Sequence, residues 1–173
     1  MPRREYPESP LVGVGGVVVS DGRAVLIRRG SEPLKGEWSI PGGMLEVGET
    51  IAQGIARELR EETGLEVRVL ELIEVFERIF PETSASAGRD TTTAPETAAS
   101  GAQLPPGRAR PRYHFVILDY LCEVIGGTPR PGGDVTDVAL AGEEELGPYH
   151  LSPAATRVVK KAFALARARI PKL

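Results

Sequence analysis

Two periodicities divide the chain. Residues 11 to 19 (Leu-Val-Gly-Val-Gly-Gly-Val-Val-Val) and 24 to 28 (Ala-Val-Leu-Ile-Arg) are dense in β-branched side chains, and the Asp21-Gly22 pair between them is a two-residue turn signal. A β-hairpin is the expectation. After a segment with Pro33 and Gly36, residues 37 to 40 predict a short strand that stops at Pro41-Gly42-Gly43, where regular structure is expected to end. Residues 50 to 63 change to a helical period, with Ile51, Ile55 and Leu59 four apart and Gly64 placed as a C-cap. Strand patterns return over 66 to 80, 112 to 125 and 135 to 140. Ser152-Pro153 then opens a second helix toward Arg169, whose apolar face is Val158, Val159, Ala162, Phe163 and Ala166. Strands on either side of one helix, with another helix at the end, predict an α/β fold in which helices pack on a mixed sheet.

The pattern fails between 82 and 111. That stretch is mostly Ala, Thr, Ser, Gly, Pro and Arg, with Leu104 its one large aliphatic residue, so it cannot bury enough apolar surface to offset ordering entropy. It is expected to be a long mobile loop inside a single domain of residues 11 to 170, preceded by a tail at 1 to 10. Composition agrees: 173 residues with 21 Lys+Arg against 24 Asp+Glu suit one soluble domain and give no basic excess for nucleic acid. No apolar run reaches the roughly 20 residues of a membrane span, and the start of the chain lacks the core of a signal peptide. The lone Cys122 excludes an internal disulfide, and no Cys/His cluster suggests zinc. A cytoplasmic location is expected.

Five carboxylates, Glu46, Glu49, Glu58, Glu61 and Glu62, crowd the segment from Gly43 to Leu65. With Ile51 set at zero on a helical wheel, Glu62 falls at about +20°, Glu58 at about −20° and Glu61 at about −80°, beside Ile55 at about +40° and Leu59 at about +80°. Three like charges therefore border the buried stripe, with Arg57 and Arg60 as possible counter-charges. Oxygen ligands of this type suit hard cations; a solvated acidic face is the competing interpretation.

The spacing here resembles the signature of the Nudix hydrolases, with Gly43, Glu49, Arg57, Glu58, Leu59, Glu61, Glu62, Gly64 and Leu65 at its defined positions. The strand hairpin before the box, Trp38, Pro41-Gly42 and the closing helix extend the resemblance across most of residues 11 to 170. It implies an α/β/α sandwich with a mixed β-sheet and a catalytic loop-helix-loop, hydrolysing a nucleoside diphosphate linked to another group with Mg²⁺ or Mn²⁺ as cofactor. It further implies that Glu58, Glu62, Glu61 and the Gly42 carbonyl bind the metal, that Arg57 orients the glutamates and that Glu49 braces the loop. Glu46 inherits no role. The general base in such proteins is a box glutamate or an acid of a later loop, for which Asp134, Asp137, Glu143, Glu144 and Glu145 are the candidates.

Arg28 and Arg29, at the end of a strand near the expected cleft, are candidate phosphate contacts. Pro81, sixteen residues after Leu65, matches a spacing shared by many ADP-ribose-cleaving members, so cleavage of ADP-ribose to AMP and ribose 5-phosphate is the first expectation. A nucleoside triphosphate pyrophosphohydrolase is the alternative enzyme, and a non-catalytic ligand-binding regulator the alternative of another class. The partners expected are a small-molecule nucleotide, with no nucleic acid and no membrane, and a homodimer is left open.

Overall fold

The structure, a computed structural model, describes residues 4–31, 34–80 and 111–169. The expected loop at 82 to 111, apart from Pro111, and the candidate Pro81 lie outside the described residues. Strands β1 (Leu11–Ser20) and β2 (Arg23–Arg29) meet through Asp21 and Gly22, whose φ values of 50° and 72° are the left-handed pair that a tight hairpin turn demands. Only Val19↔Ala24 and Ser20↔Arg23 pair across this hairpin. Beyond them β2 diverges to pair with β3 (Trp38–Ser39) and β7 (Val135–Gly142), while β1 continues beside β6 (Tyr113–Gly127).

β1 and β6 run parallel from Leu11↔Phe115 to Val18↔Cys122, and β6 runs antiparallel to the long β5 (Leu65–Phe80). The sheet is therefore mixed. Its one unexpected strand is β4 (Gly42–Met44), which lies antiparallel to β1 where the sequence had suggested that regular structure stops. Gly42 makes this possible, because a Cβ there would sit 2.2 Å from the Val14 carbonyl oxygen. A side chain of any size would keep β4 off β1.

Helix α1 (Ile51–Thr63) starts at Thr50, whose Oγ1 accepts from the Gln53 N–H at 3.2 Å while Gln53 Oε1 accepts from the Thr50 N–H at 2.8 Å. It ends at Gly64 with φ 70°, whose N–H donates to the Arg60 carbonyl. The long run of Val in β1 is buried on both faces, as expected of a central strand. Val14 and Val18 join Ile55 and Leu59 of α1, whereas Val17 joins Val158, Val159, Ala162 and Phe163 of α2 (Pro153–Arg169). One helix covers each face.

The segment expected to be an N-terminal tail is anchored in part. The Tyr6 N–H donates to the Arg112 carbonyl at 2.8 Å, and Glu5 binds Arg112 and Tyr113. On the α2 face, Glu74 of β5 is nearly buried and accepts from Arg157 at 2.6 Å and from Lys161 at 2.5 Å. Those cations hold its carboxyl below the usual range. A depressed native pKa stabilises the fold above the unfolded-state value and is lost as pH falls through the native one. Glu74→Gln is thus expected to cost about 1–2 kcal/mol near neutral pH, with the difference closing in acid. Urea unfolding of both proteins between pH 3 and 7 checks this, and a pH-independent difference would contradict it.

Candidate active site

α1 and β4 set the site. Glu62 sits on the turn of α1 that faces β4, is 6% exposed, and accepts from the Gly42 N–H at 2.8 Å. Burial pushes its carboxyl up to about 8, with the neighbouring Glu58 and Asp134 charges adding to the rise and Arg29 opposing it. Glu58, one turn earlier, lies against Gly43 so closely that a Cβ on that residue would be 2.4 Å from Glu58 Oε1. Its carboxyl is raised as well, again chiefly by burial.

Arg57 supplies the counter-charge. Its Nε and Nη2 donate to Glu49 at 2.7 and 3.0 Å, its Nη1 to Glu58 at 2.8 Å, and Nη2 also to the Met44 carbonyl at 3.0 Å. Glu49 is held below the usual carboxylate range, first by Arg57 and then by the Glu46 N–H, which donates to its Oε2. One arginine therefore ties the loop, β4 and α1 together. This qualifies the picture of three carboxylates bordering the stripe. Glu61, at the outer angle of the wheel, is half exposed with Arg57 Nη1 at 3.5 Å, and the structure does not bring it to the cavity.

A cavity of about 550 Å³ opens on this edge of the sheet. Gly42, Gly43, Glu58, Glu62 and Arg29 line one end, and Phe76, Phe80, Tyr113 and Phe115 line the other. Arg29 Nε is buried without a hydrogen-bond partner. Arg28, the other candidate of that pair, is directed elsewhere: the β2–β7 register shifts between the two residues, and the Arg28 Nε donates to the Gly36 carbonyl. Among the later acids only Asp134 reaches the cavity. Asp137 accepts from the Val138 N–H, Glu143 pairs with Arg167 and Glu145 with Arg23, while Glu144 is exposed on the same short turn.

Sequence reasoning missed Asp119. It lies on β6 directly beside Gly15, where a Cβ would come within 2.1 Å of its Oδ1, and it is 3% exposed in the cavity wall. The signal was a single carboxylate inside the apolar run Phe115 to Cys122. Burial, followed by the charge of its cross-strand neighbour Glu74, pushes it up to about 7.

Among the described residues no three His, Cys, Asp or Glu side chains are grouped closely enough to hold a metal by themselves. The donor set still fits a hard cation that is completed by waters and substrate phosphates, since Mg²⁺ typically takes only one or two protein carboxylates. Glu58, Glu62 and the carbonyl of Gly42, all from residues that line the cavity, could supply such donors.

A family model described as the NUDIX domain matches residues 9–161. An ADP-ribose pyrophosphatase of Methanocaldococcus jannaschii is 31% identical over 128 residues, 74% of this chain and 59% of that protein, so the chain spans about three fifths of that relative's length. A MutT-like protein of Streptomyces ambofaciens is 41% identical over 72% of this chain and 84% of its own. The crystal structure of a MutT NUDIX hydrolase from Burkholderia pseudomallei superimposes with a TM-score of 0.65 at 26% identity, covering 89% of this chain and 98% of that one. The chain belongs to the Nudix hydrolase family. No helix among the described residues is long and apolar enough to cross a membrane.

The raised pKa of Asp119 has a measurable consequence. An acid whose native pKa exceeds its unfolded one takes up protons on folding, so its contribution falls as pH rises between the two values. With chelator present, Asp119→Asn is expected to gain about 1–3 kcal/mol relative to the parent protein between pH 4 and 8. Denaturant titrations across that range measure it. A constant difference would show that the carboxyl is not perturbed.

Proposed function

We propose that the chain hydrolyses the pyrophosphate bond of a nucleoside diphosphate derivative, with ADP-ribose as the preferred substrate and AMP and ribose 5-phosphate as products. The observation that carries this reading is the polarity of the cavity, acidic at the α1 end and aromatic at the other. A substrate with a charged bridge between two ribosyl groups meets both ends. The name of the archaeal relative supports the choice of ADP-ribose.

Glu58, Glu62 and the Gly42 carbonyl would hold Mg²⁺ or Mn²⁺. Bound there, such an ion supplies charge neutralisation at the phosphates and a lowered pKa for a coordinated water. Arg57 keeps Glu58 in place through the bonds that also reach Glu49 and Met44, so the donor geometry is set before substrate arrives. Arg29 takes a phosphoryl oxygen, which would give its buried Nε an acceptor. Glu61 acts from the solvent side, through water.

The attacking water forms a bond to one phosphorus as the bridging P–O bond breaks, and its proton passes to Asp119. A carboxyl lifted to about 7 is suited to accepting a proton near neutral pH. The later acids Asp137, Glu143 and Glu145 are engaged elsewhere, which leaves Asp134 as the one of the later-loop candidates in the cavity wall.

Excess chelator is expected to abolish turnover and added Mg²⁺ or Mn²⁺ to restore it. Glu58→Gln and Glu62→Gln are each expected to lower kcat by about a hundredfold or more without unfolding the protein, since each substitution relieves like-charge repulsion on the helix. The preference for ADP-ribose over nucleoside triphosphates is expected to be about tenfold or more in kcat/KM, equivalent to ~1.4 kcal/mol. Product identification by chromatography reads all three. Equal or faster release of pyrophosphate from triphosphates would replace ADP-ribose by the triphosphate reading.

A further inference from the structure

At the end of the cavity away from α1, the sheet extends past the start of α2 and exposes a run of rings. Tyr113 and Phe115 lie nearly parallel, 14° apart with centroids 6.0 Å apart, and Phe80 meets them edge-on at 5.9 and 6.4 Å. The guanidinium of Arg78 stands 5.3 Å from the Phe80 ring and that of Arg112 5.3 Å from the Tyr113 ring. With Phe76, four of the chain's eight Phe and Tyr residues therefore gather at this end of the cavity.

The hydrogen bond at the edge of that wall comes from the other end of the sequence. Tyr113 donates its hydroxyl hydrogen to Glu5 Oε1 at 2.7 Å, and the same oxygen accepts from Arg112 Nη2 at 2.7 Å and Nε at 3.2 Å. The backbone continues the connection, with Tyr6 N–H donating to Arg112 and Arg112 N–H donating to Phe80. Arg4 and Glu5 themselves line the cavity. Side chains of Glu5 and Arg112 are close to half exposed, and pairs in that setting add little to stability. Orientation is the larger effect: a phenol tied through its hydroxyl presents its ring at one angle.

We propose that residues 4–6 are part of the ligand site and that Glu5 is a positioning residue, fixing the Tyr113 ring as a stacking platform for a nucleobase. The inference deepens the function proposed above and rests on the cavity being the substrate site. Nucleobases fit the chemistry because every base offers a π face to an aromatic ring, and neighbouring arginines extend the stack through cation–π contact. Phosphates drawn to the cation that Glu58 and Glu62 would hold leave the aromatic wall to a terminal group of the substrate, and of the two such groups only the nucleobase has a π face. The Glu5 bond also makes the Tyr113 phenol harder to ionise, which keeps the ring neutral under a stacked base.

The test uses the full chain, with AMP and ribose 5-phosphate as probes in isothermal titration calorimetry and ADP-ribose in steady-state kinetics. Glu5→Ala is expected to weaken AMP by about tenfold and to raise KM for ADP-ribose by a similar factor, with kcat within about twofold and ribose 5-phosphate affinity unchanged. Glu5→Gln keeps an oxygen that accepts from Tyr113 and is expected to recover most of the AMP affinity. Tyr113→Leu removes the ring and is expected to weaken AMP at least as far as Glu5→Ala does. AMP affinity unaltered by Glu5→Ala, or an equal loss for ribose 5-phosphate, would overturn the proposal, as would a parent protein that does not bind AMP. AMP binding that depends on Glu5 in a protein that cleaves neither ADP-ribose nor triphosphates would support the platform and overturn only the hydrolase reading.

Discussion

A carboxylate buried where α1 meets the sheet governs the surrounding architecture. Glu62 is shielded from water yet faces the Gly42 N–H at 2.8 Å, and an unscreened charge in that position is tolerated only if backbone donors or a cation come close to it. The local glycines follow from that need. Gly42 lets β4 press against β1, and Gly43 leaves the space that the Glu58 carboxylate occupies. The same rule operates across the sheet, where Gly15 makes room for Asp119. Three carboxyls thus converge on backbone that carries no side chains.

The charges of Glu58 and Glu62 are met by two arginines of different role, while Asp119 faces Arg78. Arg57 is consumed within the structure, bridging Glu49, Glu58 and the Met44 carbonyl, so loop, strand and helix share one charge centre. Arg29 opposes the charge of Glu62 at the same end of the cavity while its Nε stays without a partner. A site built this way keeps one cation committed to architecture and one available to a phosphate.

The two helices cover unequal lengths of sheet, and the cavity exists because of it. α2 packs Val158, Val159, Ala162 and Phe163 on one half of its face, anchored by Arg157 and Lys161 on Glu74. Past its start, marked by Ser152, Ala154 and Ala155, the strands β5 and β6 run on with aromatic side chains that line the cavity, and among the described residues no helix covers them. Glu74 is also the cross-strand neighbour of Asp119. The ion pairs that dock α2 therefore lie next to the carboxyl whose pKa is pushed to about 7.

The chain's own pattern determined the larger elements and the heart of the site. Val-rich alternation, the Asp21-Gly22 turn, the Gly64 cap and the spacing of Glu58 and Glu62 are all local, and local order follows from neighbours within a few residues. The wheel grouped Glu61 with Glu58 and Glu62 along the edge of the buried stripe, whereas the folded chain leaves its side chain half exposed and outside the cavity lining. What the tertiary structure alone decided involves residues that are distant in sequence. β4 is invisible as a pattern because two glycines and a methionine have no periodicity; it exists through pairing with β1. Asp119 acquires its shifted pKa from Glu74 and from burial beneath a cavity that no single segment encodes. Arg28 and Arg29 read alike until the fold, with its register shift between them, sets one on the Gly36 carbonyl and the other beside the charge of Glu62. Glu5 meets Tyr113 across more than a hundred residues, a contact set by sheet register, which long-range pairing fixes and short-range sequence cannot express.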